Sequence, residues 1–237
     1  MARFLLVHGS CHGAWCWRDL IPQLESLGHA AIAIDQPGSG DDPTPYADVT
    51  LGACRDAVLA TSAPDTIVVG HSWGGYPISA AAERDPDAMR ALVFLCAYVP
   101  EPGLSMVDMR KRGPRQTIAD AVVRAPDGLT YTILPDRVPD LFYHDCPAET
   151  VDYALARLGP QPILPQTTPL DLTERFHSVP KFYIRGDEDR TIPPEYQIAM
   201  TRNWPSEGVF AMPTSHSPFF ADPAGLAARL DRIAGAI

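Results

Sequence analysis

The residues best suited to chemistry lie around Ser72, in the segment GHSWGG at positions 70–75. An apolar, β-rich run at 66–69 precedes this segment, and a stretch of helical composition at 76–84 follows it. Glycines on both sides of a serine allow a strand to reverse into a helix through a strained turn that exposes the hydroxyl. A glycine-rich turn without chemistry has the same letters, but the strand and helix around it favour a nucleophilic role for Ser72.

A nucleophilic serine needs a base, and histidine is the usual one. Where a turn of this kind carries a catalytic triad, the chain order is serine, then acid, then histidine. Of the seven histidines, only His216 follows the last predicted strand, at 209–212, and it lies in a loop. We therefore predict that His216 reaches Ser72; the alternative is an exposed loop histidine.

Three carboxylates, those of Asp187, Glu188 and Asp189, follow the predicted strand at 181–184. One of them would accept the imidazole N–H of the base, fix its tautomer and stabilise the imidazolium that forms during attack. We expect the other two to be solvated surface charges. Spacing alone does not distinguish among the three.

Attack by a serine on a carbonyl carbon also requires donors for the developing oxyanion, each contributing about 3 kcal/mol. The backbone N–H of Trp73, directly after the nucleophile, is one candidate. The other lies in the glycine-containing loop after the first predicted strand, at 8–13, where we select Ser10. An ordinary strand-to-helix turn at this place is compatible with that role.

The elements that must position these residues alternate along the chain. Short apolar runs rich in β-formers are separated by segments of helical composition; the runs are 4–7, 30–34, 66–69, 91–95, 181–184 and 209–212. This alternation predicts an α/β protein with a mostly parallel central sheet flanked by crossover helices. The C-terminal segment places Leu226, Leu230, Ile233 and Ile237 on one helical face and predicts a closing helix.

The region between Pro100 and Pro169 interrupts the alternation, because it contains eleven of the 25 prolines. Proline fixes φ and removes a donor, so a regular sheet layer is not expected there. The region nevertheless has apolar residues of its own. We predict a core formed by 1–100 and 177–237, with a cap of short helices inserted at 101–176.

Composition limits the classes of protein and partner. A chain of 237 residues with 46% hydrophobic and 20% charged residues is expected to fold around one core. The net charge of −10, without a basic stripe, argues against nucleic acid and anionic membranes as partners. We expect a small-molecule substrate, and a homodimer is left open.

Five cysteines, Cys11, Cys16, Cys54, Cys96 and Cys146, are scattered without the spacing of a zinc site or a disulfide framework. No metal or organic cofactor is expected. The apolar run behind Arg3 is too short for a secretion signal, and no run approaches the roughly 20 residues that span a bilayer. These features predict a cytoplasmic protein.

Three segments resemble one branch of a known family: LVHGSCHGAWCW at 6–17, GHSWGG at 70–75 and YIRGDEDRTIP at 183–193. They are similar to the plant methyl esterase and hydroxynitrile lyase branch of the α/β-hydrolases, which bacterial esterases share. The resemblance implies the α/β-hydrolase fold and places the family's catalytic acid on Asp189. It covers the core well and the cap poorly.

The lyases of this branch carry a lysine directly after the catalytic histidine, where this chain has Ser217, and a threonine in place of Gly9. Without the lysine, cyanohydrin cleavage lacks the charge that stabilises departing cyanide. The resemblance therefore implies ester hydrolysis rather than lyase chemistry.

The sequence as a whole predicts a serine hydrolase that cleaves a small hydrophobic or aromatic carboxylic ester through an acyl-enzyme. Apolar side chains in the cap and beside the motifs are the expected pocket, because ligand pockets are mostly apolar; its candidate residues are His12, Trp73, Phe142 and Phe219. The alternatives are a carbon–carbon lyase, a cofactor-free oxygenase, a carbamate or thioester hydrolase, and a binding module that resembles a hydrolase.

Overall fold

Six parallel strands form the central sheet of the computed structural model, which describes residues 1–237. The strands are β1 (Arg3–Val7), β2 (Ala30–Ile34), β3 (Thr66–His71), β4 (Ala91–Leu95), β8 (Lys181–Gly186) and β9 (Val209–Met212). Their spatial order is β2-β1-β3-β4-β8-β9, and neighbouring strands all pair in parallel. Each strand agrees within two residues with a predicted strand, which confirms the predicted fold class.

Helices cover both faces of this sheet, as the continuous apolar runs of its strands require. Alternate residues of β1 point to opposite faces: Phe4 and Leu6 join one core cluster, and Leu5 and Val7 join another. The helices α1 (Leu20–Ser26) and α11 (Pro223–Ala236) cover the first face. The second face is covered by α2 (Leu51–Thr61), α3 (Gly75–Arg84) and α8 (Glu174–Ser178).

Two further helices lie beside the carboxyl ends of the last strands. The helix α9 (Pro194–Thr201) follows the loop after β8, and α10 (Pro218–Ala221) follows the loop after β9. None of the helices is both long enough and apolar enough to traverse a lipid bilayer. All five cysteines are free thiols.

The segment between β4 and α8 contains both short helices and a small three-stranded antiparallel sheet. Its helices are α4 (Met106–Arg112), α5 (Val138–Phe142), α6 (Ala148–Leu155) and α7 (Leu164–Thr167). Its strands are β5 (Val122–Arg124), β6 (Thr130–Ile133) and β7 (Gln161–Pro162), with β6 in the middle of the sheet.

The small sheet adds to the predicted cap of short helices, and it is separate from the central sheet, which the prolines were not expected to allow to continue. The prolines limit the strands to two to four residues without preventing pairing. The turn between β5 and β6 contains Asp127-Gly128, and Gly128 has a φ of 73°. An Asp-Gly pair between apolar runs is a hairpin signal.

The predicted boundary at 176/177 falls inside α8, where Phe176 is buried in the core.

The closing helix predicts a simple test of the core. Leu230 of α11 is fully buried, so Leu230→Ala is expected to lower the free energy of unfolding by about 2–5 kcal/mol. Ile198 of α9 is 48% exposed, and Ile198→Ala should lower it by less than about 1 kcal/mol. Urea denaturation monitored by circular dichroism measures both, and equal losses would contradict this assignment of the core.

Candidate active site

Ser72 stands directly after β3 with a φ of 54°, at the start of a single 3₁₀ turn that leads into α3. A positive φ is unfavourable for any residue with a side chain and persists only where the surrounding structure enforces it. The close approach of the two backbone segments requires glycine, because a Cβ on Gly70 would lie 2.7 Å from the carbonyl oxygen of Gly74. The fold therefore builds the predicted strained turn.

A small cavity opens above this turn, beneath the cap. Ser72 and His216 both line it, although no hydrogen bond joins the serine hydroxyl to the imidazole. Its hydrophobic wall residues are Tyr98, Met106, Ile118, Tyr131, Ile133 and Phe142, and all of them except Tyr98 come from the cap.

The imidazole of His216 is held by a carboxylate behind it. His216 Nδ1 lies 2.7 Å from Asp189 Oδ2, and both side chains are buried. Because the carboxylate only accepts, Nδ1 carries the proton, and Nε2 remains as the nitrogen available toward the cavity. Asp187 and Glu188 are exposed, and Asp187 pairs with Arg185. Of the three acids of this loop, only Asp189 contacts the histidine.

Three further donors satisfy the buried carboxylate of Asp189. Its Oδ1 accepts from the backbone N–H groups of Thr191, at 2.7 Å, and Ile192, at 2.9 Å. Its Oδ2 accepts from Gln197 Nε2, at 2.8 Å, as well as from His216. Gln197 comes from α9 and is fully buried. No feature of the sequence marks this glutamine, since a buried polar residue on a short helix resembles a surface one.

A second histidine fixes the backbone of the His216 loop. His71 Nε2 donates to the carbonyl oxygen of His216 at 2.8 Å. Burial lowers the pKa of His71, which leaves the ring neutral and its Nδ1 unprotonated. From the cap, the carboxylate of Asp145 accepts the backbone N–H of Ser215 at 2.7 Å. The loop is thus held by His71, at the end of β3, and by Asp145 of the cap.

The loop after β1 is held from the cap in the same manner. Gln166 Nε2 donates to Ser10 Oγ at 2.7 Å, and the hydroxyl of Tyr131 donates to Gln166 Oε1 at 3.0 Å. Gln161 Oε1 accepts the backbone N–H of Cys11, whose φ is 64°. The backbone N–H of Ser10 has no acceptor within the protein. It is a free donor in the loop predicted to supply one.

His12 belongs to the same loop and lines the cavity. Burial lowers its pKa to about 3, so the ring is neutral. Its Nδ1 donates to the carbonyl oxygen of Ser10 at 2.7 Å, and its Nε2 accepts from the hydroxyl of Tyr143 at 2.6 Å. His12 therefore braces the loop and adds no charge to the cavity.

Two of the four predicted pocket residues do not line the cavity, unlike His12 and Phe142. The side chain of Trp73 packs beside Tyr76 behind the turn, with ring centroids 6.4 Å apart. Phe219 is fully buried beneath His71, with ring centroids 5.0 Å apart. Trp73 directly follows Ser72, whereas Phe219 lies three residues after His216, and both side chains point into the core. The expectation that Trp73 and Phe219 form pocket walls is corrected accordingly.

Gly9 lies against the turn that carries the serine. A Cβ at Gly9 would stand 2.6 Å from His71 Nδ1 and 2.9 Å from Ser72 Cβ. Both atoms belong to buried side chains. The threonine that hydroxynitrile lyases carry at this place is incompatible with the present position of His71.

Comparisons with known proteins agree with this geometry. The model of the alpha/beta hydrolase family matches residues 4–229. Methylesterase 1 of Arabidopsis thaliana is 32% identical over 244 residues, which cover 93% of this chain and 91% of that protein. Methyl jasmonate esterase 1 of Vitis vinifera is 29% identical over 251 residues, covering 97% of this chain and 95% of that protein.

A solved structure extends the likeness to the whole fold. The crystal structure of a pyrethroid hydrolase from Sphingobium faniae JZ-2 superimposes with a TM-score of 0.87 at 26% identity, covering 99% of this chain and 98% of that one. The resemblance to methyl esterases drawn from the three motifs is confirmed.

The tight contact at Gly9 predicts a selective loss of stability. In Gly9→Ala the new methyl group must displace His71 or the serine turn, which is expected to lower the free energy of unfolding by about 1–3 kcal/mol. Gly159→Ala is the matched control, since a Cβ there meets nothing within 4 Å. Thermal and urea unfolding measure the two variants, and an unchanged Gly9→Ala protein would contradict the close approach.

Proposed function

Because the chain belongs to the alpha/beta hydrolase family and is a carboxylesterase-type hydrolase, we propose that it cleaves a small hydrophobic or aromatic carboxylic ester through an acyl-enzyme. The observation that carries the proposal is the imidazole of His216, which is held by Asp189 and faces the same cavity as Ser72. The chain order of serine, acid and histidine and the shared cavity support roles for them as nucleophile, orienting acid and base.

In the first step, Ser72 Oγ attacks the ester carbonyl carbon while His216 Nε2 takes the hydroxyl proton. Asp189 keeps the proton on Nδ1 and stabilises the imidazolium. The backbone N–H groups of Ser10 and Trp73 donate to the oxyanion of the tetrahedral intermediate. The serine–histidine hydrogen bond is expected to form when substrate binds, since such contacts tighten in the reacting complex.

Collapse of the intermediate breaks the ester C–O bond, and the imidazolium of His216 returns its proton to the leaving alcohol. The acyl group remains on Ser72. Water then attacks the acyl carbon, with His216 Nε2 as base, and the carboxylic acid leaves as the serine is regenerated. Each proton taken in a half-reaction is returned within that half-reaction.

The cavity supports the hydrophobic or aromatic character of the substrate. Ile118, Ile133 and Phe142 line it together with Met106, so the binding energy of a small apolar group is available close to Ser72. A carbamate or thioester could use the same machinery, and a screen of matched esters, thioesters and carbamates distinguishes them.

Two observations favour hydrolysis over lyase chemistry on this scaffold. Gly9 leaves no room for a threonine beside His71. Ser217, where the lyases carry lysine, is fully buried. The cation that would stabilise departing cyanide is therefore absent after His216.

The role of Ser72 predicts the effect of its removal. Ser72→Ala is expected to lower kcat for p-nitrophenyl butyrate by about 10³- to 10⁶-fold, because the nucleophile is lost. A fluorophosphonate probe should label the wild-type protein and fail to label the variant. Ser26→Ala, which removes an exposed hydroxyl on α1, is the control and should retain both properties. Full activity in Ser72→Ala would overturn the proposal.

The two aspartates of the β8 loop provide a matched pair. Asp189→Asn should lower kcat by about 10³- to 10⁴-fold, because an amide no longer enforces the tautomer of His216. Asp187→Asn should change kcat less than about twofold, since the Asp187 side chain is exposed and pairs with Arg185. Steady-state kinetics on p-nitrophenyl butyrate measures both variants. Comparable losses in the two would exclude Asp189 as the specific partner.

A further inference from the structure

A second cavity, which we call the outer chamber, adjoins the one that contains Ser72. The two have four wall residues in common, namely Met106, Arg110, Ile118 and Tyr131. The second cavity is formed entirely by the cap. A ligand longer than a short acyl group would therefore extend from the serine into this second chamber.

Arg110 is the one charged residue that lines both chambers. It lies on α4 and is partly buried, and its guanidinium takes part in no ion pair. The neighbouring arginines are paired: Arg112 with Glu101 and Arg115 with Glu195. The single unpaired guanidinium among them is the one that faces the cavities.

The positive charge of Arg110 acts on two tyrosines that line the cavities. Burial raises the pKa values of Tyr98 and Tyr131, and the positive charge of Arg110 opposes that shift in both. Neither chamber has an Asp or Glu among its lining residues, although the chain contains 29 acidic residues against 19 basic ones. A partly desolvated cation without a partner is unfavourable, and an anionic ligand group would relieve that cost.

A second arginine, Arg124, also lines the outer chamber. Arg124 is exposed on β5 and pairs across the small sheet with Tyr131, which lines both chambers. Its guanidinium likewise forms no ion pair. The outer chamber thus has two free guanidinium groups and no acid, in a protein with a net charge of −10.

Building on the proposed function, we propose that the substrate is an ester with an apolar body whose end remote from the scissile bond carries a carboxylate, and that Arg110 binds this carboxylate. Guanidinium and carboxylate match in a bidentate arrangement, which gives orientation as well as binding energy. Arg124, at the exposed side, attracts the anion toward the chamber. Monoesters of dicarboxylic acids and esters of carboxylated phenols belong to this class.

The test compares two esters of equal shape. p-Nitrophenyl hemiglutarate ends in a carboxylate, whereas p-nitrophenyl 5-methylhexanoate ends in an isopropyl group of similar size. Arg110→Met is expected to lower the ratio of kcat/KM for the charged ester over the neutral one by about tenfold to a hundredfold. Arg110→Lys should restore part of the ratio, because it keeps the charge but loses the bidentate geometry.

Arg112→Met is the matched control, since Arg112 lies on the same helix and pairs outward with Glu101. It should leave the ratio unchanged. A second pair of esters, 4-carboxyphenyl and 4-acetylphenyl hexanoate, places the charge on the alcohol side and shows which half of the ester reaches Arg110. Thermal unfolding establishes that each variant is folded.

The outcomes separate this inference from the proposed function. A ratio that Arg110→Met leaves unchanged in both ester pairs would overturn the carboxylate site, while Ser72-dependent hydrolysis of the neutral esters would still support the esterase. Hydrolysis of none of the four esters by the wild-type protein would contradict the proposed function and this inference together.

Discussion

The buried carboxylate of Asp189 imposes the strictest requirement on this structure. A carboxylate removed from water is strongly unfavourable unless donors surround it, and here four donors do so. Two are backbone N–H groups of its own loop, one is Gln197 of α9, and the fourth is His216. The loop after β8, the first turns of α9 and the loop after β9 must therefore fold together. The orientation of the imidazole follows from that joint requirement.

The parallel sheet explains why so much of this arrangement could be predicted from the sequence. Continuous apolar runs specify buried parallel strands, and the carboxyl ends of such strands meet at one edge. Ser72, Asp189 and His216 each follow a predicted strand, so the sequence predicts that they converge at this edge. The choice of Asp189 over Asp187 came from the family resemblance. In the structure the two differ in burial, which the spacing of the carboxylates does not reveal.

The parts that were not predicted are contacts between distant segments. Gln161 and Gln166 of the cap hold the loop after β1, about 150 residues earlier in the chain. A glutamine has no periodic signature that identifies its partner, and the same letter is more often found on the surface. The small sheet of the cap was not predicted for a different reason. Its strands are too short for a period to be visible, and only the Asp127-Gly128 turn signalled a hairpin.

Backbone strain and its support are divided between core and cap. The three non-glycine residues with positive φ are Cys11, Ser72 and Cys96, and all follow strands β1, β3 and β4 at the same edge of the sheet. Such conformations persist only where neighbouring structure holds them. At Cys11 the support comes from the cap, through Gln161.

The cap therefore has two roles that are physically linked. It fastens the loop that carries the predicted oxyanion donor, and the same segment supplies Arg110 and Tyr131 to the walls of the chambers. Tyr131 joins the two roles directly, because its hydroxyl donates to the Gln166 side chain that holds Ser10. The walls of the chambers and the loop that carries the predicted oxyanion donor are therefore connected by one chain of hydrogen bonds, from Tyr131 through Gln166 to Ser10.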